Sequence, residues 1–364
     1  MPRTYRAAVM SAPRAPMEVR ELKEPVLEEG SVLMHTQMSE VCGTDVHLHH
    51  GRLAGVPYPI IPGHVSVGVV AALKGQVLDV EGTPFREGDV ATFLDVHGTC
   101  GACWYCLVAK ASTRCPKRKV YGITYGVADG LCGGWSEAIY LKPGVRLLRL
   151  PTGLDAETYC GGGCGVVTAL HAVDRAALRL GDSVVVLGAG PVGQSVAALA
   201  ALSGAGAIIL VGAPDARLAF ARRMGASDTL SLDLSEEERR AHIASATGGR
   251  GADVVIEASG DPEALRQALE LVRDGGTVVI AGQYTDTGST QLNAHRHINK
   301  KHVELRGCWG SDFSHFYRAL ELMARHRERV PWREMIDARF SLNELDAALG
   351  AVESRRVVKA AVLP

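Results

Sequence analysis

The chain has 364 residues, 47% of them hydrophobic and 22% charged, with 39 Lys plus Arg against 40 Asp plus Glu for a formal charge of −1. That length suits two domains, or one domain with a large insertion. The balanced charge lacks the basic excess of a nucleic-acid binder and holds no long run of one sign, so no nucleic-acid partner is expected.

The opening, "MPRTYRAAVMSAPRAP", has no apolar core of signal-peptide length, and a cytoplasmic location is expected. In such a reducing compartment the nine cysteines, an odd number, point to metal ligation rather than to a disulfide framework. The first 150 residues read as short strands between Gly/Pro turns ("GVPYPIIPGH", "EGTPFREGD", "GGWSEAIYLKPG"), which predicts an antiparallel, barrel-like domain. Within it, "CGTDVHLHH" (42–50) and "PGHVSVG" (62–68) crowd Cys42, Thr44, Asp45, His47, His49, His50 and His64 into short loops. His49 and His50 read as surface histidines.

Further on, "CGACWYCLVAKASTRC" spaces Cys100-x2-Cys103-x2-Cys106-x8-Cys115, inside a loop spanning 97–118. Four thiolates around one Zn²⁺ make a closed tetrahedral site, and the short x2 spacings let one tight loop wrap the ion. An iron–sulfur cluster accepts the same ligands, but no other redox signature accompanies these. Cys132 and Cys308 read as small packed residues.

From about residue 165 the texture changes. "SVVVLG", "AIILVG", "ADVVIEAS" and "GTVVIAG" are short apolar runs between Ala-rich helical stretches, which predicts a doubly wound parallel sheet. The run "SVAALAALSGAGAIILVGA" approaches membrane-span length, but Gly204 and Gly206 divide it into helix, turn and strand, so no membrane segment is expected. Gly188-x-Gly190-x-x-Gly193 follows the first apolar run and opens a helix with Pro191 and Val192 between its glycines. In that context Gly188 makes the tight turn, Gly190 lets the backbone approach a pyrophosphate, and Gly193 lets helix and strand pack closely. The next strand ends at Gly212 and Ala213, where an NAD site carries an acidic residue. Its absence makes room for a 2′-phosphate, for which Arg217, Arg222 or Arg223 could supply charge. The reading leans to NADP, while Asp215 keeps NAD open. The tail beyond about 305 returns to mixed texture, with a helix near "SHFYRALELMARHR".

Taken together, these motifs resemble the zinc-dependent medium-chain alcohol dehydrogenases, within a bacterial branch of zinc-binding dehydrogenases. The similarity runs over essentially the whole length. It implies an α/β fold: a GroES-like β-rich catalytic domain (1–164), a Rossmann NAD(P)-binding domain (165–305), and a segment returning to the catalytic domain (306–364). The x8 spacing before Cys115 is one longer than the family's commonest. Matched motif by motif, "VCGTDVH" makes Cys42 a catalytic-zinc ligand, Thr44 the group that takes the alcohol proton, His47 its next acceptor, and Asp45 the residue orienting a ligand histidine. "PGHVSVG" makes His64 the second ligand. "CGGGCGVVTALHA" makes Cys164 the third, with Cys160 the competitor for that place. Two zinc ions per chain follow, one catalytic and one structural on Cys100, Cys103, Cys106 and Cys115. The implied activity is hydride transfer between a primary or secondary alcohol, bound as its alkoxide on zinc, and a nicotinamide cofactor.

The resemblance further implies a small-molecule alcohol or carbonyl substrate and a homodimer or homotetramer. Trp309 and the neighbourhoods of Tyr58 and Trp135 are candidate pocket positions. Two other readings stand beside it, a zinc-free NADPH-dependent reductase of enones or quinones and a non-enzymatic NAD(P)H-binding protein. One departure is clear. The family carries Glu after the ligand histidine, and this chain has Val65. Losing that carboxylate makes the zinc a stronger Lewis acid and slows ligand exchange. Val65→Glu is therefore expected to change turnover while zinc per chain, measured by elemental analysis, stays constant.

Overall fold

The computed structural model describes residues 3–364. Two compact units form. One contains the chain up to Gly163 with Asp312–Arg327 and Trp332–Pro364, and the other contains Cys164–Ser311 with Glu328–Pro331.

The first unit is built on a seven-stranded sheet. Its long strand Val32–Val41 pairs antiparallel with Ser66–Leu73, Ala138–Leu141 and Lys359–Leu363. Three partners around one strand leave it buried along most of its length, with His35, Thr36 and Gln37 at its more open middle. Strand Ile336–Ser341 lies parallel to Lys359–Leu363, and Val90–Phe93 continues the sheet on the other side to Leu147–Arg149. A hairpin of Thr4–Met10 and Met17–Lys23 stands apart as a two-stranded sheet. Tyr5, Leu33, Val41, Ile61, Trp135, Leu345 and Val362 share one core, and Met34, Phe93, Tyr121, Ile139 and Leu147 share a second.

The second unit holds a six-stranded sheet, parallel throughout. Across the sheet the strands run Asp228–Ser231, Ala207–Gly212, Ser183–Leu187, Ala252–Glu257, Val272–Ile280, Glu304–Gly307. Numbered along the unit, that order is 3-2-1-4-5-6, the doubly wound arrangement in which the strand order reverses between the first and fourth strands. Helices Pro191–Leu202, Asp215–Arg223, Glu236–Ala246 and Pro262–Leu271 make crossovers. The apolar run divided by Gly204 and Gly206 is helix, turn and strand, and among the described residues no helix is long and apolar enough to cross a membrane.

The sixth strand, Glu304–Gly307, spans position 305, and the unit continues to Ser311. This edge strand is mostly exposed, so it lacks the apolar run that marks its neighbours. At the other end the unit begins at Cys164, one residue before the expected 165. Helix Phe313–His326 forms where the sequence placed it and returns to the first unit.

Candidate metal centres

Two groups of side chains bring metal-binding atoms together. In the first, one ligand atom from each of Cys100, Cys103, Cys106 and Cys115 lies within 4.8 Å of the other three. Sulfur separations are 3.5 Å for Cys103–Cys106, 3.6 Å for Cys100–Cys115 and 4.0 Å for Cys103–Cys115. Tetrahedral zinc with Zn–S bonds near 2.3 Å sets its sulfurs about 3.8 Å apart, so the donor set fits that ion. The backbone N–H of Cys100 donates to Cys115 Sγ (3.3 Å), the second-layer support a thiolate needs. None of the nine cysteines forms a disulfide among the described residues.

The second group is Glu40, Cys42, His64 and Cys164, again within 4.8 Å of one another. Strand Val32–Val41 ends just before Cys42, which caps the short helix Gly43–His49. Thr44 N donates to Cys42 Sγ (3.3 Å), while Cys42 N donates to Asp45 Oδ2 (2.9 Å). These two bonds hold the sulfur over the first turn of the helix. His64 Nε2 sits 3.4 Å from Cys42 Sγ, and its Nδ1 faces Asp45 Oδ1 at 3.7 Å. Asp45 is fully buried behind the ring, where a carboxylate fixes a ligand histidine's orientation. Burial pushes the His64 imidazole down, but the Cys42 thiolate and the Asp45 carboxylate outweigh it and hold its pKa above the ordinary 6.5. The surroundings therefore favour positive charge at Nε2, and a divalent cation supplies it without a proton.

Cys164 lies in the helical stretch Ala156–Ala176, immediately after a break at Gly163 with φ 44° and ψ −140°. Cys160, four residues earlier, is buried with its Sγ 3.9 Å from Met38 O and stands outside the group. Thr44 and His47 are half-buried on the same short helix. Burial lowers the His47 pKa, helped by the charges of Arg52 and His50. His50 itself pairs with Glu353 at 2.6 Å.

In the second unit, Gly190 caps helix Pro191–Leu202 with Pro191 in its first turn. A Cβ on Gly193 would fall 1.9 Å from Gly188 O, so the helix can start this close to the strand only with glycine there. A Cβ on Gly212 would meet Ala189 Cβ at 2.5 Å, a packing reason for glycine where an acidic residue was sought. Buried Gln194 ties the turn to the next helix through bonds to Ala189 O (3.2 Å) and Arg217 O (2.8 Å). Arg217 is itself buried, whereas Arg222 lies 3.6 Å from Asp228 at the surface. Trp309 stacks on Tyr284 and donates to its carbonyl (3.0 Å). Trp135 is fully buried, with its Nε1 donating to Glu40 O (3.1 Å), so it is a core residue rather than a pocket wall. Tyr58 is part-buried and its hydroxyl donates to Leu48 O (2.5 Å).

One member of the second group, Glu40, and the cation beside it, Lys359, escaped the sequence reading. Glu40 was not considered as a donor, nor was Lys359, whose Nζ lies 2.5 Å from Glu40 Oε2 with both side chains fully buried. The available signal was an acidic residue in the buried end of "VLMHTQMSEV" and a lysine opening the apolar strand "KAAVL".

A doubly wound parallel sheet with a glycine-rich first turn, a β-rich unit and two cysteine-based donor sets together are the architecture of a zinc-type oxidoreductase. Residues 28–152 match the alcohol dehydrogenase GroES-like domain, and residues 191–325 match the zinc-binding dehydrogenase domain. The chain belongs to the zinc-binding medium-chain alcohol dehydrogenase family. It is 33% identical over 333 residues to 5-exo-hydroxycamphor dehydrogenase of Pseudomonas putida, covering 91% of each chain. An alcohol dehydrogenase from Thermotoga maritima superposes with a TM-score of 0.95 at 33% identity over the full length of both chains. A zinc-binding dehydrogenase from Sinorhizobium meliloti bound to NADP gives 0.87 at 26% identity, again over both full lengths.

Proposed function

We propose that the protein is a zinc- and nicotinamide-dependent dehydrogenase that interconverts an alcohol with its aldehyde or ketone. The observation that carries this reading is the convergence of Cys42, His64 and Cys164 on one point beside a buried carboxylate. Two thiolates and a neutral imidazole neutralise a 2+ ion and satisfy three of the four positions of a catalytic zinc. A zinc ion held there supplies Lewis acidity toward the substrate oxygen. Cys100, Cys103, Cys106 and Cys115 hold a second ion in a closed structural site.

The chain's own residues handle the proton. Thr44 Oγ1 takes it from the substrate hydroxyl and passes it on toward His47. The two residues are three apart on one short helix, so they share a face. His47 must be neutral to accept. Its depressed pKa keeps it so at neutral pH, and the rate of alcohol oxidation is expected to fall only as the pH drops through a value below 6.5. His47→Gln should remove that acid limb from the kcat/KM profile; an unchanged limb would assign it to another group.

Residues 188–193 receive the cofactor pyrophosphate, with the backbone at Gly190 and the first turn of helix Pro191–Leu202 facing the phosphates. The missing acidic residue at 212–213 favours NADP, and the NADP-bound relative supports that choice.

The test is turnover of an alcohol panel with NAD and with NADP, before and after zinc is stripped and restored. Zinc-dependent alcohol oxidation supports the reading. Reduction of enones or quinones that survives zinc removal overturns it in favour of a zinc-free reductase.

A further inference from the structure

Beyond the three ligands of that reading, one carboxylate stands on the donor face of the cluster. Glu40 Oε1 is 4.0 Å from His64 Nε2, the same nitrogen that faces Cys42 Sγ. Asp45 approaches the opposite nitrogen, Nδ1. The two buried carboxylates are thus sorted: Asp45 behind the ring, Glu40 in front of it. An oxygen and a nitrogen donor on one tetrahedral ion with bonds of about 2.0–2.1 Å sit roughly 3.3–3.4 Å apart, so the 4.0 Å between Glu40 Oε1 and His64 Nε2 has to close by about 0.7 Å for both to bind one ion.

Lys359 holds Glu40 there. Its Nζ lies 2.5 Å from Glu40 Oε2 and donates to the carbonyls of Gly161 (3.2 Å) and Gly162 (3.1 Å). These contacts tie the ammonium to the Glu40 carboxylate and to two backbone carbonyls. With Oε2 committed to Lys359, Oε1 is the oxygen turned to the cluster. Gly163 makes the room: a Cβ there would fall 1.7 Å from Glu40 Oε2 and 2.6 Å from Lys359 Nζ. The helix break that frees this space comes directly before Cys164. Glu40 N also donates to the carbonyl of Val65 (3.0 Å), so the strand brings in a carboxylate beside the very residue whose own side chain is apolar.

Charge explains why such a pair is kept. A buried ion pair by itself is a poor stabiliser, because desolvation cancels most of its attraction. Two thiolates and Glu40 carry three negative charges. Lys359 and a divalent ion carry three positive ones, which offset these and leave the buried Asp45 carboxylate behind His64 as the one further negative charge.

We propose that Glu40 is a fourth, exchangeable donor to the ion at Cys42, His64 and Cys164, and that Lys359 is the residue that positions it. Oε1 fills the fourth place when no substrate is bound, and a substrate oxygen displaces it. One metal–oxygen bond breaks as another forms, while the carboxylate stays paired with Lys359. The proposal rests on the reading of this cluster as a metal centre.

The experiment uses the full chain with cobalt(II) at the catalytic site, because its visible absorption reports coordination number and donor set. Chelator extraction of zinc gives a second readout. Glu40→Gln leaves Lys359 buried without its carboxylate, so the double variant Glu40→Gln/Lys359→Met, which removes both charges, accompanies it. Both variants are expected to shift the cobalt spectrum of the substrate-free protein and to lose one of the two zinc ions about tenfold faster than the wild type. Saturating with an alcohol should make the variant and wild-type spectra converge. A double variant with wild-type spectrum and extraction rate overturns the proposal while leaving the three-ligand centre intact. A wild-type protein that binds one ion per chain, unchanged in Cys164→Ala, overturns the metal-centre reading and this proposal together.

Discussion

Replacing Cys164 with alanine is expected to lower bound zinc from two ions per chain to one and to slow alcohol oxidation by about three orders of magnitude or more. The first number follows from geometry. Removing Cys164 leaves Cys42, His64 and Glu40 around the second cluster, whereas the four cysteines between 100 and 115 keep every sulfur. The second follows from what the ion supplies. Lewis-acid stabilisation of a substrate oxygen is worth several kcal/mol, and each ~1.4 kcal/mol is a factor of ten in rate. Elemental analysis and steady-state kinetics on the same preparation check both. A variant that keeps two ions and near-normal turnover would mean that Cys164 is a bystander, and Cys160 would then have to be tested, although it lies outside the group.

Lys359→Met should produce the largest loss of stability in the β-rich unit. It strands the Glu40 carboxylate, whose side chain has 0% exposure, without its cation. Breaking a buried pair in this way costs about 3–5 kcal/mol. For a unit of this size that corresponds to a fall in melting temperature on the order of 10 °C. The double variant Glu40→Gln/Lys359→Met should recover most of the loss, because no uncompensated charge remains. Differential scanning calorimetry of zinc-loaded protein decides the matter. Equal losses in the single and double variants would show that packing around Lys359, rather than charge, sets the cost.

The cofactor sheet was legible because its signals are local. An apolar run, a glycine turn and an Ala-rich helix repeat within some thirty residues, and each carries its own period. The four-cysteine loop was legible for the same reason, since all its ligands fall within sixteen positions. The Glu40–Lys359 pair was not. The partners are 319 positions apart (359 − 40), and nothing in either neighbourhood names the other. Only the antiparallel pairing of Lys359–Leu363 with Val32–Val41 brings them together. The sixth strand, Glu304–Gly307, was not legible because an exposed edge strand does not look like a strand of a buried sheet. The neighbourhood of Trp135 is a candidate pocket position in sequence, while the Trp135 ring itself fills the core and its N–H is spent on Glu40 O. Gly212 shows a subtler limit. Its lack of a side chain reads as a cofactor preference, while its contact with Ala189 would demand glycine with either cofactor.

The strand Lys359–Leu363 lies between Ile336–Ser341 and Val32–Val41. Its place in the sheet imposes an order of events during translation. Val32–Val41 and the helix that presents Cys42 leave the ribosome early, and the contiguous segment Cys164–Ser311 can fold as it emerges. Lys359 follows Gly163 by 196 residues (359 − 163), about 10–40 s of synthesis at ~5–20 residues per second. For that interval the nascent chain already carries Glu40, Cys42 and His64 but has no cation to balance the carboxylate. A slot in the sheet beside Val32–Val41 also stays open, exposing a strand edge that another nascent chain could fill. Ribosome-bound chains halted before residue 359 should therefore be the protease-sensitive, aggregation-prone species.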